Sequence, residues 1–204
     1  MARLYARFVK RVFDLALGVV ALPVIGLEFV IVAPLIIKED RGPIFYNAER
    51  VGQNGKPFKM YKYRTMYVGS PDIVSADGST FNAPDDPRLT RVGAFLRRSS
   101  LDELPQVINI LKGEMSFIGP RPDIPREVAL YEGEEPLKLN VKPGISGYAQ
   151  VYGRNALPWR ERLALDVTYV KKQSFLLDAR IFFKTFAVVF SQDGIFESKR
   201  GDEA

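Results

Sequence analysis

The 204-residue chain predicts an α+β, mostly helical molecule: an N-terminal re-entrant membrane helix, a small β-hairpin, and membrane-surface amphipathic helices around a compact catalytic domain. Three observations carry this. An apolar run from Leu15 to Ile37 holds a single charge, Glu28. The turn cluster Gly52-Gln53-Asn54-Gly55 separates two aromatic-rich, strand-like stretches. Helical spacing of apolar residues then returns from about Arg88, with Leu89, Val92 and Leu96 on one side. Residues 1–40 read as the membrane helix-break-helix, 41–190 as the catalytic domain and 191–204 as a polar tail.

At roughly 1.5 Å per residue the apolar run makes about 35 Å of helix, enough to cross a bilayer. A simple spanning anchor is one reading. Basic residues lie on both flanks, however: Arg3, Arg7, Lys10 and Arg11 before it, Lys38, Arg41 and Arg50 after it. The positive-inside preference asks both ends to stay on the cytoplasmic face. Pro23 lacks an N–H and clashes with the preceding turn, so a kink is expected there. A helix that enters one leaflet and returns satisfies both constraints and lets Glu28 reach toward the headgroups.

Downstream, Ile44-Phe45-Tyr46 and Phe58 to Met66 form the expected hairpin, followed by a polar loop over residues 69–87. Helices are expected over Leu101–Leu111, Ile124–Tyr131, Pro158–Lys171 and Leu176–Phe190, the last suited to burial or to a membrane surface. Residues 1–64 carry 11 Lys+Arg against 5 Asp+Glu, whereas the remainder is close to neutral. Placed around the apolar run, this excess points to anionic lipid rather than nucleic acid, for which no recognition pattern is present.

Composition narrows the chemistry. Without Cys or His there is no thiol nucleophile, imidazole base or Cys/His metal site, so catalysis must run on carboxylates, Lys, Arg, Tyr, Ser or a hard metal bound through oxygen. The densest constellation is Arg97-Arg98-Ser99-Ser100-Leu101-Asp102-Glu103-Leu104-Pro105. Ser100 and Glu103 have capping-box spacing, which alone would make them a plain helix start. Pro105 sits too deep for that helix and predicts irregular backbone. One carboxylate here could attack a phosphorus while the other holds Mg²⁺, with arginines on the phosphate oxygens. Gly119-Pro120-Arg121-Pro122 holds a guanidinium between two prolines, and Lys142-Pro143-Gly144-Ile145-Ser146-Gly147 and Gly153-Arg154-Asn155 are glycine turns beside cations, suited to close approach of a phosphate.

Taken in order, Lys10-Arg11-Val12-Phe13-Asp14, Gly42-Pro43-Ile44-Phe45, Phe58 to Met66, Ser100-Leu101-Asp102-Glu103-Leu104-Pro105-Gln106, Leu111 to Ser116, Gly119-Pro120-Arg121-Pro122, Lys142 to Gly147, Leu165-Asp166-Val167 and Leu177-Asp178 resemble the monotopic bacterial phosphoglycosyl transferases, across nearly the whole chain. The start of the chain resembles the small members that consist essentially of the catalytic domain. The resemblance implies transfer of a sugar 1-phosphate from a UDP-sugar to undecaprenyl phosphate, release of UMP, a requirement for Mg²⁺, and a place on the cytoplasmic face of the bacterial inner membrane beside downstream glycosyltransferases. It implies Asp102 as the nucleophile that forms a phosphosugar intermediate and Glu103, with Asp102, as metal ligand. It places Arg97, Arg121 and Arg154 on phosphate or uridine, with Lys62 and Asp178 as further candidates. Small members break the membrane helix at a Ser-Pro pair, whereas Leu27 stands at that proline here. Gly153-Arg154-Asn155-Ala156 and Trp159 look most like members handling N,N′-diacetylbacillosamine.

Two other functions fit the residues. In a non-catalytic membrane-surface scaffold Asp102 and Glu103 would only cap a helix, and a membrane-anchored nucleotide-sugar hydrolase would need no lipid acceptor.

Overall fold

One unbroken helix, α1, runs from Lys10 to Asp40 after a π-helical turn at Tyr5–Val9. The computed structural model describes residues 5–74, 81, 86–153 and 157–191. α1 ends where Arg41 turns left-handed at φ 56° and returns its N–H to the carbonyl of Ile37. The break expected at Pro23 is absent, because the helix continues through both Pro23 and Pro34. Each proline removes one backbone bond at a cost of about 3 kcal/mol. The docking of one helix face along the domain offsets that cost.

That face consists of Lys10, Asp14, Gly18, Ile25, Val32, Ala33 and Ile36, spaced at helical intervals and buried. It meets α2 (Arg91–Ser99) and α3 (Gln106–Lys112). A Cβ on Gly18 would lie 2.8 Å from Leu111 Cδ2, so the glycine lets α1 approach α3 closely. Near the helix start, buried Asp14 accepts from the Ser116 hydroxyl and the Phe117 N–H, both at 3.0 Å. Near its end, the Glu39 carboxylate accepts from the first N–H groups of α2, Arg91 at 2.6 Å and Val92 at 3.1 Å. Asp40 pairs with Arg64 one residue further on. The opposite face exposes Val19, Val20, Leu22, Val24, Leu27, Val30 and Ile31.

The hairpin is present but shifted. β1 (Ala48–Val51) pairs antiparallel with β2 (Pro57–Met60), from Ala48 opposite Met60 to Val51 opposite Pro57. Asn54 and Gly55 take positive φ in the turn, as that cluster leads one to expect. Ile44 to Tyr46, expected as the first strand, contributes only the bridge of Phe45 to Tyr63 and flanking hydrogen bonds. A second pair was not expected: β3 (Ser116–Ile118) lies parallel to β4 (Gly144–Ser146).

The helix expected over 101–111 is split into a 3₁₀ turn at Leu101–Glu103 and α3. The short α4 (Pro125–Val128) replaces the longer one expected there, and α5 (Tyr148–Tyr152) follows β4. α6 (Trp159–Lys172) and α7 (Phe175–Ser191) match expectation to within a residue or two. Val32, Ile36, Tyr63 and Leu96 form the core under α1, Phe58, Met60, Ile110 and Met115 that under the hairpin, and Ile118, Val151, Tyr169 and Ile181 that under α6 and α7. α7 exposes Phe175, Leu176, Phe183 and Phe186. The Phe175 ring touches Tyr5 and Phe13, so this aromatic surface runs on into the outer face of α1. The polar loop over 69–87 falls only partly, and the tail hardly at all, within the described residues.

Candidate active site

Ser100 ends α2 in the left-handed conformation, φ 57°, with no side-chain cap. The expected capping box is therefore not formed. A serine at positive φ is uncommon and costs free energy, as strained backbone at sites does. It turns the chain so that Leu101–Glu103 make a 3₁₀ turn and Pro105 can precede α3, and Glu103 is left free for other partners.

Asp102 points inward, 2% exposed, with Oδ2 2.7 Å from Lys62 Nζ. The same ammonium lies 3.3 Å from Glu103 Oε1, which also accepts from Arg121 Nη1 at 3.0 Å. One lysine thus joins both carboxylates and an arginine closes the far side. Backbone supports the arrangement: the Tyr63 N–H donates to the Asp102 carbonyl at 3.0 Å. Fully buried Asn109 ties the strand before Lys62 to α3, accepting from the Tyr61 N–H and donating to the Lys59 carbonyl. Arg97, in the last turn of α2, donates through Nε to Thr65 Oγ1 and acts on the charge of Asp102.

Arg121 owes its place to glycine packing. A Cβ on Gly144 would stand 2.1 Å from the Gly119 nitrogen, and one on Gly147 would stand 2.1 Å from the Gly119 carbonyl oxygen. Glycines read in the sequence as phosphate-approach turns are used here to bring β4 against the segment that presents Arg121. Arg121 is half-exposed while Glu103 is largely covered, so the guanidinium forms the outer rim.

The surroundings push the two carboxyls apart. Burial, reinforced by the charge of Glu103, raises Asp102 against the pull of Lys62 and Arg97. Burial acts on Glu103 in the same direction, but Arg121 and Lys62 outweigh it and draw that carboxyl down to about 2. A desolvated carboxylate beside one that stays firmly ionised can divide roles between nucleophile and cation ligand.

The two acids are also the donors available to a metal. Among the described residues no third acid joins them in a metal-binding group. Mg²⁺ commonly takes one or two carboxylates and completes its octahedron with water and substrate phosphates, so this pair, already gathered around one cation, fits it.

Of the other residues singled out in the sequence, Asp178 lies elsewhere. It is buried and accepts from the Tyr5 hydroxyl, Lys10 Nζ and the Tyr169 hydroxyl, joining the start of α1 to α6 and α7. Its carboxylate accepts from all three donors. Arg154 lies outside the described residues. Glu28 turns inward rather than toward the headgroups: both its oxygens are buried without a hydrogen-bond partner, as is the Tyr63 hydroxyl. Tyr63 was missed as a site residue, and its only signal was its position beside Lys62.

Comparison with known proteins identifies the family. The model of the family described as bacterial sugar transferase matches residues 5–192. The exopolysaccharide production protein ExoY of Sinorhizobium fredii is 39% identical over 198 residues, covering 92% of this chain and 88% of that protein. The UDP-galactose-lipid carrier transferase of Erwinia amylovora is 38% identical, and the undecaprenyl-phosphate galactose phosphotransferase of Salmonella typhimurium 37%, each over 207 residues. The alignments cover 96% of this chain but only 43% of each of those two proteins. The chain belongs to the bacterial sugar transferase family, the bacterial phosphoglycosyl transferases.

Proposed function

We propose that the chain transfers a sugar 1-phosphate from a UDP-sugar to undecaprenyl phosphate, releasing UMP, by way of a phosphosugar ester on Asp102. The buried Asp102 shared with Glu103 through Lys62 carries this reading. An Asp102 oxygen attacks the β-phosphorus of the donor, the bond from that phosphorus to the bridging oxygen breaks, and UMP departs with the electron pair. A phosphate oxygen of the lipid then attacks the same phosphorus and the Asp102 carboxylate leaves. Lys62 orients the nucleophile, and Arg121 and Arg97 hold phosphate oxygens as charge builds. Mg²⁺, held by Glu103 with Asp102, would neutralise the diphosphate when bound. The names of two relatives, a UDP-galactose-lipid carrier transferase and an undecaprenyl-phosphate galactose phosphotransferase, support the reaction class. An N-acetylated amino sugar of the diacetylbacillosamine type as donor rests on the sequence Gly153 to Ala156 and Trp159.

The molecule works as a monotopic protein on the cytoplasmic face of the inner membrane. Both ends of α1 dock on the same domain, through Asp14 at one end and Glu39 and Asp40 at the other. The outer face of α1 and the aromatic surface of α7 enter the lipid, where they bring the site to headgroup level.

The test is UMP release from UDP-galactose, UDP-glucose, UDP-N-acetylglucosamine and UDP-N,N′-diacetylbacillosamine, with and without undecaprenyl phosphate and Mg²⁺. Intact mass should show one phosphosugar on Asp102 when the lipid is withheld. Asp102→Asn should abolish both. Normal turnover by that variant would falsify the covalent route, and steady turnover without lipid would make the protein a hydrolase.

A further inference from the structure

The end of α1 and one flank of α2 border an open cleft of about 700 Å³, lined by Leu35, Lys38 and Glu39 from α1 and by Arg91, Ala94 and Arg98 from α2. Helical spacing gathers these side chains: Leu35, Lys38 and Glu39 share one face of α1, and Arg91, Ala94 and Arg98 share one face of α2. Three of the six are cations and one is an acid. Glu39 is already committed, because its two oxygens accept from the backbone N–H groups of Arg91 and Val92 at 2.6 and 3.1 Å. Lys38, Arg91 and Arg98 are exposed, and among the described residues their side chains make no hydrogen bond or ion pair. A cleft lined by unneutralised charge of one sign concentrates counter-ions of the other.

The cleft has an apolar side as well. Leu35 is exposed and lies one turn beyond Ile31, also exposed, so a hydrocarbon chain resting on Leu35 continues onto the outer row of α1. Cations at the mouth of an apolar strip that leads into the bilayer match an anionic phospholipid, with its phosphate at headgroup level and its acyl chains below. The catalytic groups take no part. Lys62, Asp102, Glu103 and Arg121 do not line the cleft, and Arg97, the neighbour of Arg98, turns to Thr65 instead. A phosphate bound here is off the reaction path, which sets a resident lipid apart from the acceptor.

We propose that the cleft between α1 and α2 binds one anionic phospholipid of the phosphatidylglycerol class, its phosphate among Lys38, Arg91 and Arg98 and its acyl chains along Leu35 and Ile31. This rests on the reading of the outer face of α1 as lipid-facing. The bound lipid clamps the end of α1 to α2 at headgroup depth, joining from the membrane side two helices that Glu39 joins within the protein.

The experiment titrates the full chain, in dodecyl maltoside micelles, with dioleoylphosphatidylglycerol and reads the bound lipid by native mass spectrometry. Dioleoylphosphatidylcholine, with the same phosphate and tails but no net charge, is the control. Lys38→Gln and Arg98→Gln should each weaken the first phosphatidylglycerol about threefold, the worth of one basic side chain at a partly screened anionic headgroup. Three such cations give the native chain a preference of about thirtyfold for phosphatidylglycerol over phosphatidylcholine, and the triple variant with Arg91→Gln should treat the two alike. Lys38→Arg, which keeps the charge, should stay within about twofold of the native affinity. Neither undecaprenyl phosphate nor glycerol phosphate at equal concentration should displace the phosphatidylglycerol. Equal affinity of the native chain for both phospholipids, or an unchanged preference in the triple variant, would overturn the proposal. So would displacement by undecaprenyl phosphate, which would make the cleft the acceptor site, or by glycerol phosphate, which would make it a site for a soluble anion. Should the triple variant fail to fold, the two single ones still decide it. Recovery of the native chain in the soluble fraction of broken cells would instead sink the reading of α1 as lipid-facing.

Discussion

Asp102 and Glu103 are adjacent in sequence and alike in chemistry, yet their surroundings give them opposite tendencies. Asp102 is held by a lysine at the bottom of the site; Glu103 shares that lysine and adds an arginine at the rim. Because Arg121 is half-exposed and its partner remains anchored by Lys62, Arg121→Ala should leave melting nearly unchanged while lowering kcat about 10²-fold, the usual cost of losing one donor to developing charge. Steady-state kinetics with a melting curve check both halves. A second carboxylate offers a pH test away from the site. Asp166 pairs with Lys138, itself bound to Asp123, but burial dominates and pushes Asp166 up to about 6. Its folded pKa therefore exceeds its unfolded value near 3.8, so its contribution to stability is complete below that value and fades as pH rises toward 6. Relative to the native chain, Asp166→Asn should flatten the melting temperature across that window; an equal slope in both would contradict the assignment.

At the scale of elements, what could be read in the sequence was what local rules govern. Turn glycines and aromatic stretches announced the hairpin, and apolar spacing announced α6 and α7. Pro105 announced irregular backbone at the site. What escaped was decided by contacts between distant segments. β3 and β4 have three residues each and lie far apart in the chain, too short for any periodic pattern to show. Ser100 looked like a cap because capping boxes are local, whereas its left-handed turn leads α2 into the 3₁₀ turn whose Asp102 carbonyl is held by the distant Tyr63 N–H. Asp178 resembled a site residue by motif, but its three donors come from Tyr5, Lys10 and Tyr169. The glycines of β4 supply a direct test: Gly144→Ala puts a methyl 2.1 Å from the Gly119 nitrogen, backbone against backbone, with nothing flexible to yield. Denaturation should show a loss of about 1–3 kcal/mol. Turnover should fall along with it, since the same contact presents Arg121.

For the whole molecule, a single long apolar helix suggests an anchor trailing from an enzyme, whereas the docking of both ends of α1 on one domain supports the monotopic reading proposed above. Chain ends on opposite sides of a bilayer cannot both touch one domain. Since the chain lacks cysteine, Ala6→Cys and Lys38→Cys provide single thiols at exposed positions near the two ends of the helix. Both should react with a membrane-impermeant maleimide only after cells are opened. Labelling of one from outside intact spheroplasts would mean a spanning helix.

The docked face of α1 also bears on how the protein can be handled. Val32 and Ile36 complete the core around Tyr63 and Leu96, Asp14 holds β3, and Glu39 starts α2. The greasy helix is a wall of the enzyme and not a tether. Cutting it away to obtain a water-soluble catalytic fragment would open the core and strip α2 of its first hydrogen bonds, so the tractable engineering target is the outward row, Val19, Val20, Leu22, Val24, Leu27, Val30 and Ile31. Repainting that row with polar side chains would change the solvent the protein lives in without touching the structure that does the chemistry.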